Sequence, residues 1–411
     1  MGKDNLIRRG TGDYRRANLA LFFAGFVTFS TLYDFQPLFP NLVSEFAISP
    51  TVASLTLSFA TFALAWTLPL SGTLSDALGR RPLMGVAVIL TSLLTLVTAT
   101  LDSLPAILVL RLMQGIVLAG VPAVAMAYLS EEIEPRSVGN AMGLYIAGNA
   151  FGGMTGRILT AWLTDFIPWR SAIGVIAAIS LVLGVFFLIL LPPSRNFQRR
   201  PFHLGQLTAS LVNHLRNPGL LCLYLVAFTC MGGFVTLYNY VTFRLLGPDF
   251  GLSQTEVALI FLAYAFGAFG SSFIGALVHR FGRGRLLFYS LAIMTAGLAL
   301  TLLAALPAVI AGIVIFTIGF FGVHSVASTW VGFLATHSRG QASSLYLFFY
   351  YLGSSISGTA GGFFYGAWGW TGVVLLIFLL IGLAVLAGRR LASLSRGAES
   401  ASPLCTPADC P

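Results

Sequence analysis

The chain has 411 residues, of which 57% are hydrophobic and only 9% charged, with a net charge of +9 and a mean hydropathy of +0.87. A water-soluble globule of this length needs roughly a quarter of its residues charged to cover its surface, so composition excludes that class. The basic residues fall in short clusters between apolar runs, the pattern that orients membrane helices, and this argues against a nucleic-acid partner.

Residues 1–16 are polar and carry Lys3, Arg8, Arg9, Arg15 and Arg16, with no small-residue cleavage site after the apolar run that follows. That run is expected to stay in the membrane as an anchor. A bilayer core of about 30 Å takes roughly 20 apolar residues per helix. Twelve runs qualify: 17–40, 51–75, 82–101, 104–129, 138–164, 171–192, 219–246, 255–279, 285–305, 307–333, 341–367 and 370–388. Under this assignment one side of the membrane holds 19 of the 23 Lys and Arg, including those of both ends, which predicts cytoplasmic termini.

The longest connection, 193–218, reads as a linker. The expected organisation is a cytoplasmic segment 1–16, a six-helix bundle 17–192, the cytoplasmic linker 193–218, a second bundle 219–390 and a disordered cytoplasmic tail 391–411. Gly72 is echoed by Gly275, Leu104-Pro105-Ala106 by Leu306-Pro307-Ala308, and Leu144-Tyr145 by Leu345-Tyr346, at offsets of 203, 202 and 201. Six helices return the chain to its starting side, so the repeats run in parallel. The predicted fold class is an all-α membrane protein of twelve transmembrane helices in two parallel six-helix repeats around a central cavity.

The four cysteines predict neither a disulfide nor a metal site: Cys222 and Cys230 lie in an apolar run, and Cys405 and Cys410 sit in the tail without ligand partners. No phosphate-cradling glycine loop is present, and no intramembrane nucleophile and base that would make the chain an enzyme; no cofactor is expected. A receptor would be expected to carry a soluble signalling domain, and the tail is too short and too rich in Ser, Pro and Ala to be one.

Gly72-Thr73-Leu74-Ser75-Asp76-Ala77-Leu78-Gly79-Arg80-Arg81 resembles the G-x-L-x-D-R-x-G-R-R signature of the major facilitator superfamily, with Ala77 where an arginine is usual. Leu110-Arg111-Leu112-Met113-Gln114-Gly115 resembles the R-x-x-Q-G motif that the family associates with proton coupling. Gly148-Asn149-Ala150-Phe151-Gly152-Gly153 resembles its G-P-x-x-G-G antiporter motif, with Asn149 in place of proline. Pro37-Leu38-Phe39-Pro40 is similar to the P-x-x-P of twelve-helix drug:proton antiporters. The stretches YLSEEIEPRSV, GLYIAGNAFGGMTGR, FGVHSVASTW and GQASSLYLFFYYLGSS resemble the acriflavine-sensitivity (YnfM-type) family of bacterial inner-membrane transporters. The resemblance implies a monomeric inner-membrane secondary transporter that exports a small organic compound or drug in exchange for protons. An exporter or facilitator of sugars or organic acids is the alternative within the same fold. It also implies a gate formed by Gly72, Asp76, Gly79, Arg80 and Arg81 with Glu131 and Arg136, repeated by Gly275, Arg280, Gly282 and Arg283.

The residues support these roles on physical grounds. Asp76 falls on the same side as the start of helix 11 near Gly340, whose free amides carry a partial positive charge, so the two are expected to latch. A turn that merely orients the chain is the alternative. Inside the bilayer, ionisable residues are costly and point to function. There are four: Asp34, Arg111, Arg157 and His324. Asp34 and Arg111 both fall roughly 10 Å from the outer surface at 1.5 Å per residue, so they are expected to pair. Arg157 is expected to share Asp34 with Arg111; the alternatives are a structural pair, or arginines that bind an anionic substrate group. Release of such a pair returns proton affinity to the carboxylate, which would couple proton and substrate. His324 reads as a titrating group or as a packing histidine. The expected substrate cavity is lined by Tyr33, Asp34, Gln36, Arg111, Gln114, Tyr238, Asn239 and His324, with the interfacial aromatic belt as the other reading of the aromatic residues.

Overall fold

The computed structural model describes residues 6–199 and 204–401, nearly all of them helical. The first span is α1 (Gly12–Tyr33), a 3-10 turn (Gln36–Leu38) and α2 (Phe39–Phe46). Spans two to six follow as α3 (Pro50–Leu78), α4 (Arg80–Thr98), the broken pair α5 (Leu104–Leu118) and α6 (Pro122–Glu132), α7 (Val138–Leu163) and α8 (Trp169–Leu190). After the connecting helix α9 (Leu204–Arg216), the seventh span is α10 (Pro218–Leu246). The eighth combines α11 (Gln254–Ala258), a 3-10 turn (Leu259–Leu262) and α12 (Ala263–Phe281). Then come α13 (Arg283–Leu300), α14 (Leu306–Leu334) and α15 (Arg339–Ala401), which is two spans joined through the non-helical Trp368 and Gly369.

Among the described residues nine helical stretches are long and apolar enough to cross a membrane, α15 counting once. The glycine-rich α7 and α13, which opens on Arg283 and Arg285, complete the twelve. Helix starts follow the local chemistry. Ser49 accepts the Val52 amide ahead of Pro50, Ser253 and Glu256 close a reciprocal capping box, and Pro105, Pro218 and Pro307 occupy first turns where no amide is needed.

The duplication is visible in the backbone. Gly79 (φ +103°) and Gly282 (φ +76°) each end one helix and begin the next in a conformation that a side chain disfavours. Each half also brings a glycine of its fifth helix against the carbonyls of its first. A Cβ on Gly152 would lie 2.2 Å from the Phe26 carbonyl oxygen, and one on Gly353 would lie 2.0 Å from that of Phe228. Such stripes let helices associate by close packing where water cannot drive them together.

An even number of crossings puts both ends of the chain on one face, here called the terminal face. Contacts between the halves gather toward the opposite face. There Ser355 Oγ donates to the Ser58 carbonyl at 2.8 Å, and Gln254 Nε2 donates to Asn41 Oδ1 at 3.1 Å. Asp165 accepts the Thr255 amide at 2.8 Å and also its hydroxyl, while Gly362 lies against the backbone of Thr51.

Three boundaries differ from the sequence reading. The first span, drawn as 17–40, breaks at residues 34–38, and the connection expected as a loop contains α9, whose Leu207 is buried and whose Leu211 and Leu215 pack on the second half. The last helix continues to Ala401, ten residues beyond the boundary drawn at 391. Cys222 and Cys230 are free thiols, and Cys405 and Cys410 lie outside the described residues.

Candidate substrate and coupling site

Pro37 has no amide hydrogen, so α1 stops at Tyr33 and its last carbonyls lose their helical donors. In hydrocarbon those carbonyls must be satisfied by protein. Arg111 of α5 does this: Nη1 donates to the Thr31 carbonyl at 2.9 Å and Nη2 to the Leu32 carbonyl at 2.6 Å. Its Nε donates to the Thr56 carbonyl of α3 at 2.7 Å, and Nη1 also reaches Gln114 Oε1 at 2.6 Å. Gln114 in turn donates to Thr95 Oγ1 at 2.8 Å. Arg111 therefore ties four helices of the first half around the break.

The structure brings Asp34 and Arg111 together, with Arg111 Nη1 3.3 Å from Asp34 Oδ1 and both residues fully buried. The other carboxyl oxygen, Oδ2, has no partner.

Arg157 does not join this pair. Its Nε donates to Gln36 Oε1 at 2.5 Å and its Nη1 to the Gly153 carbonyl at 2.6 Å, while the guanidinium lies 3.8 Å from the centre of the Tyr33 ring. Beyond the end of α1 it is Gln36, not Asp34, that meets α7. Gln36 also donates to Asn239 Oδ1 at 2.7 Å, linking the two halves, and Asn239 Nδ2 is buried without an acceptor. Rings of Tyr264 (4.8 Å) and Phe261 (5.6 Å) complete the cage from the second half. Neither was singled out in the sequence, where they look like any aromatic in an apolar run.

Tyr238 shares a hydrogen bond with Thr317 Oγ1 at 2.8 Å, and its ring packs on those of Phe261 and Tyr264. His324 lies elsewhere, half-buried toward the terminal face, with Nδ1 3.0 Å from the Tyr346 hydroxyl and its ring among Phe320, Tyr346 and Tyr350. Asn149 packs against Gly25 with its Oδ1 unpaired, and Gly148 meets the Phe22 carbonyl in the same stripe as Gly152; Gly153 instead offers its carbonyl to Arg157.

At the terminal face Arg80 clamps Glu131 through Nη2 to Oε1 (2.7 Å) and Nε to Oε2 (3.1 Å), pairs with Asp76 one turn back, and reaches the Ser75 hydroxyl and the Gly72 carbonyl. Asp76 is thus engaged within its own half rather than with the start of helix 11. Arg136 stands exposed, its charge acting on Glu134, and Arg81 donates to the Leu188 carbonyl at 2.9 Å. In the second half Gly275 faces Ser325, Arg280 lies over Phe281, and Arg283 lies over Phe333 with its Nε unpaired.

Twelve helices in two parallel repeats, with a buried arginine between the halves and a buried ion pair within the first, have the build of a membrane transporter. The Major Facilitator Superfamily model matches residues 21–247 and 239–403, and the chain belongs to that superfamily. It is 47% identical over 383 residues to the MFS-type transporter YybF of Bacillus subtilis, covering 93% of this chain and 95% of that protein. To the inner membrane transport protein YnfM of Escherichia coli it is 44% identical over 388 residues, 94% of this chain and 93% of that one. A solved bacterial homolog of the human lysosomal transporter Spinster, inward-facing and unoccupied, shares the fold with a TM-score of 0.73 at 18% identity, covering 93% of this chain and 97% of that one. The protein is a transporter and not an enzyme.

Proposed function

We propose that the protein exports a small organic compound from the cytoplasm in exchange for protons, by alternating access across a bacterial inner membrane. The observation that carries the coupling is the fully buried Asp34, paired through one oxygen with Arg111 and bare at the other. The positive-inside distribution of Lys and Arg supports cytoplasmic termini, which makes the terminal face the cytoplasmic one. Contacts between the halves near the opposite face then correspond to a state closed to the outside.

In the exchange, opening of the outer face parts Gln36 from Asn239 and lets an outside proton reach Asp34. Return to the inward state delivers the proton as the next substrate enters. Closure of the cytoplasmic face sets Asp76 against the amide end of α15, with Arg80 and Glu131 as its support. The chain acts as a monomer, with the cavity between its own halves.

The test is reconstitution into proteoliposomes with a trapped pH dye and a panel of organic cations, neutral amphiphiles, sugars and organic acids. The expected result is substrate-dependent proton movement for one class. Transport of a compound while the dye stays silent would make the protein a facilitator and end the antiport reading.

A further inference from the structure

We infer that Arg157 is the recognition point for an acidic group, and that the substrates are aromatic organic acids, each pairing one carboxylate or similar anion with a planar ring. This rests on the transporter reading above and names its substrate class.

Arg157 is 1% exposed, yet among the described residues no carboxylate pairs with it; the other buried arginines, Arg80 and Arg111, each have one. A guanidinium kept out of water without a counter-ion is costly, and one retained there is a site for an anion that arrives and leaves. The fork is held in position by Gln36, by the Gly153 carbonyl and by the Tyr33 ring, so little ordering is left for a ligand to supply. Independently, Asn239 Nδ2 is buried and without an acceptor, one amide away across Gln36. A carboxylate has two oxygens, and these two donor groups suit it.

The aromatic half of the ligand follows from what surrounds and extends the cage. Tyr264 leads to Phe234 (5.3 Å between ring centres), which stacks on Phe320 (3.8 Å), and Phe320 leads on to His324 (6.2 Å). This run of rings descends the second half from the buried arginine to half-buried residues nearer the terminal face. Planar apolar groups stack on such surfaces, while the cationic end of a drug would meet Arg157 as a like charge. Because Tyr33 and Gln36 belong to one half and Tyr264 and Phe261 to the other, separation of the halves opens the cage.

Binding of 1-naphthoate, 1-naphthylmethanol and 1-naphthylmethylammonium to the purified protein compares one ring with three charges. The acid is expected to bind at least about ten-fold tighter than the other two, the worth of a charge-assisted contact in a dry site. Arg157→Gln should remove that preference while leaving the alcohol's affinity unchanged, Arg157→Lys should recover part of it, and Asn239→Ala should weaken the acid alone. Equal binding of the three probes, tighter binding of the amine, or naphthoate affinity untouched by Arg157→Gln would overturn the inference. Should Arg157→Gln not fold, the wild-type charge preference and Asn239→Ala decide. Counterflow of the same probes in proteoliposomes separates the two readings. Acid binding without counterflow makes the acid a bound ligand and not a transported substrate, which overturns the inference as a statement of substrate class. Counterflow of naphthoate that ignores Arg157→Gln, or counterflow of the amine in preference to the acid, overturns this inference and leaves that reading in place.

Discussion

Arg111 carries more structure than charge pairing alone requires. Its carboxylate contact is the longest of its hydrogen bonds at 3.3 Å, while the carbonyls of Thr31, Leu32 and Thr56 are met at 2.6 to 2.9 Å. The planar fork reaches those acceptors from one side chain, and a lysine ammonium has no equivalent geometry. Arg111→Lys should therefore lower stability in detergent by about 3–5 kcal/mol, close to the cost of breaking a buried ion pair, readable as a large fall in Tm. Counting residues from the helix ends is enough to place Asp34 and Arg111 at one depth. The carbonyl partners were not legible, because they depend on where Pro37 breaks the helix, and the same break gives Gln36 rather than Asp34 to Arg157. A second residue effect lies outside the membrane spans. Glu134 accepts the Arg9 amide at 3.0 Å and the Ser137 hydroxyl at 2.8 Å, which holds its carboxyl below the ordinary range. A depressed pKa contributes stability above the unfolded value of about 4.3 and loses it as pH falls toward the folded value. Hydrogen exchange at the Arg9 amide should accelerate in that acid window, and Glu134→Gln should remove the dependence.

Helix pairing in the first half depends on the stripe Gly148, Gly152 and Gly156, whose Cβ positions would fall 2.5, 2.2 and 2.6 Å from carbonyl oxygens of α1. Gly152→Leu should force α1 and α7 apart and destabilise by at least about 1–3 kcal/mol, with transport lost. Gly143→Ala, on the same helix with nothing within 4 Å, should leave Tm no lower and is the control. The spacing of four between these glycines was readable in the chain, and it states which helix face is bare. The partner was not readable, since no pattern within α7 says which neighbour it meets. Short elements were hidden for a related reason. The break between Leu118 and Pro122 falls inside an uninterrupted apolar stretch, and α9 is too polar to register beside true spans.

At the scale of the molecule the duplication, the number of spans and the shared face of the termini all follow from apolar run lengths and repeat offsets. Which face is closed does not, because both states of an alternating-access protein are made from one sequence and differ by small contacts between halves. In this structure those contacts include the Ser58 carbonyl with Ser355 and the Ser58 hydroxyl with Thr359. Ser58→Cys with Ser355→Cys, in a protein whose four native cysteines are replaced by serine, should cross-link on oxidation, stop transport, and recover on reduction. The central claim is that Asp34 carries the proton while the halves carry the substrate. The most direct measurement compares substrate exchange with proton-driven accumulation in proteoliposomes containing Asp34→Asn. The account predicts that exchange persists and accumulation driven by a pH gradient disappears. Gradient-driven accumulation at the wild-type level in Asp34→Asn would contradict it.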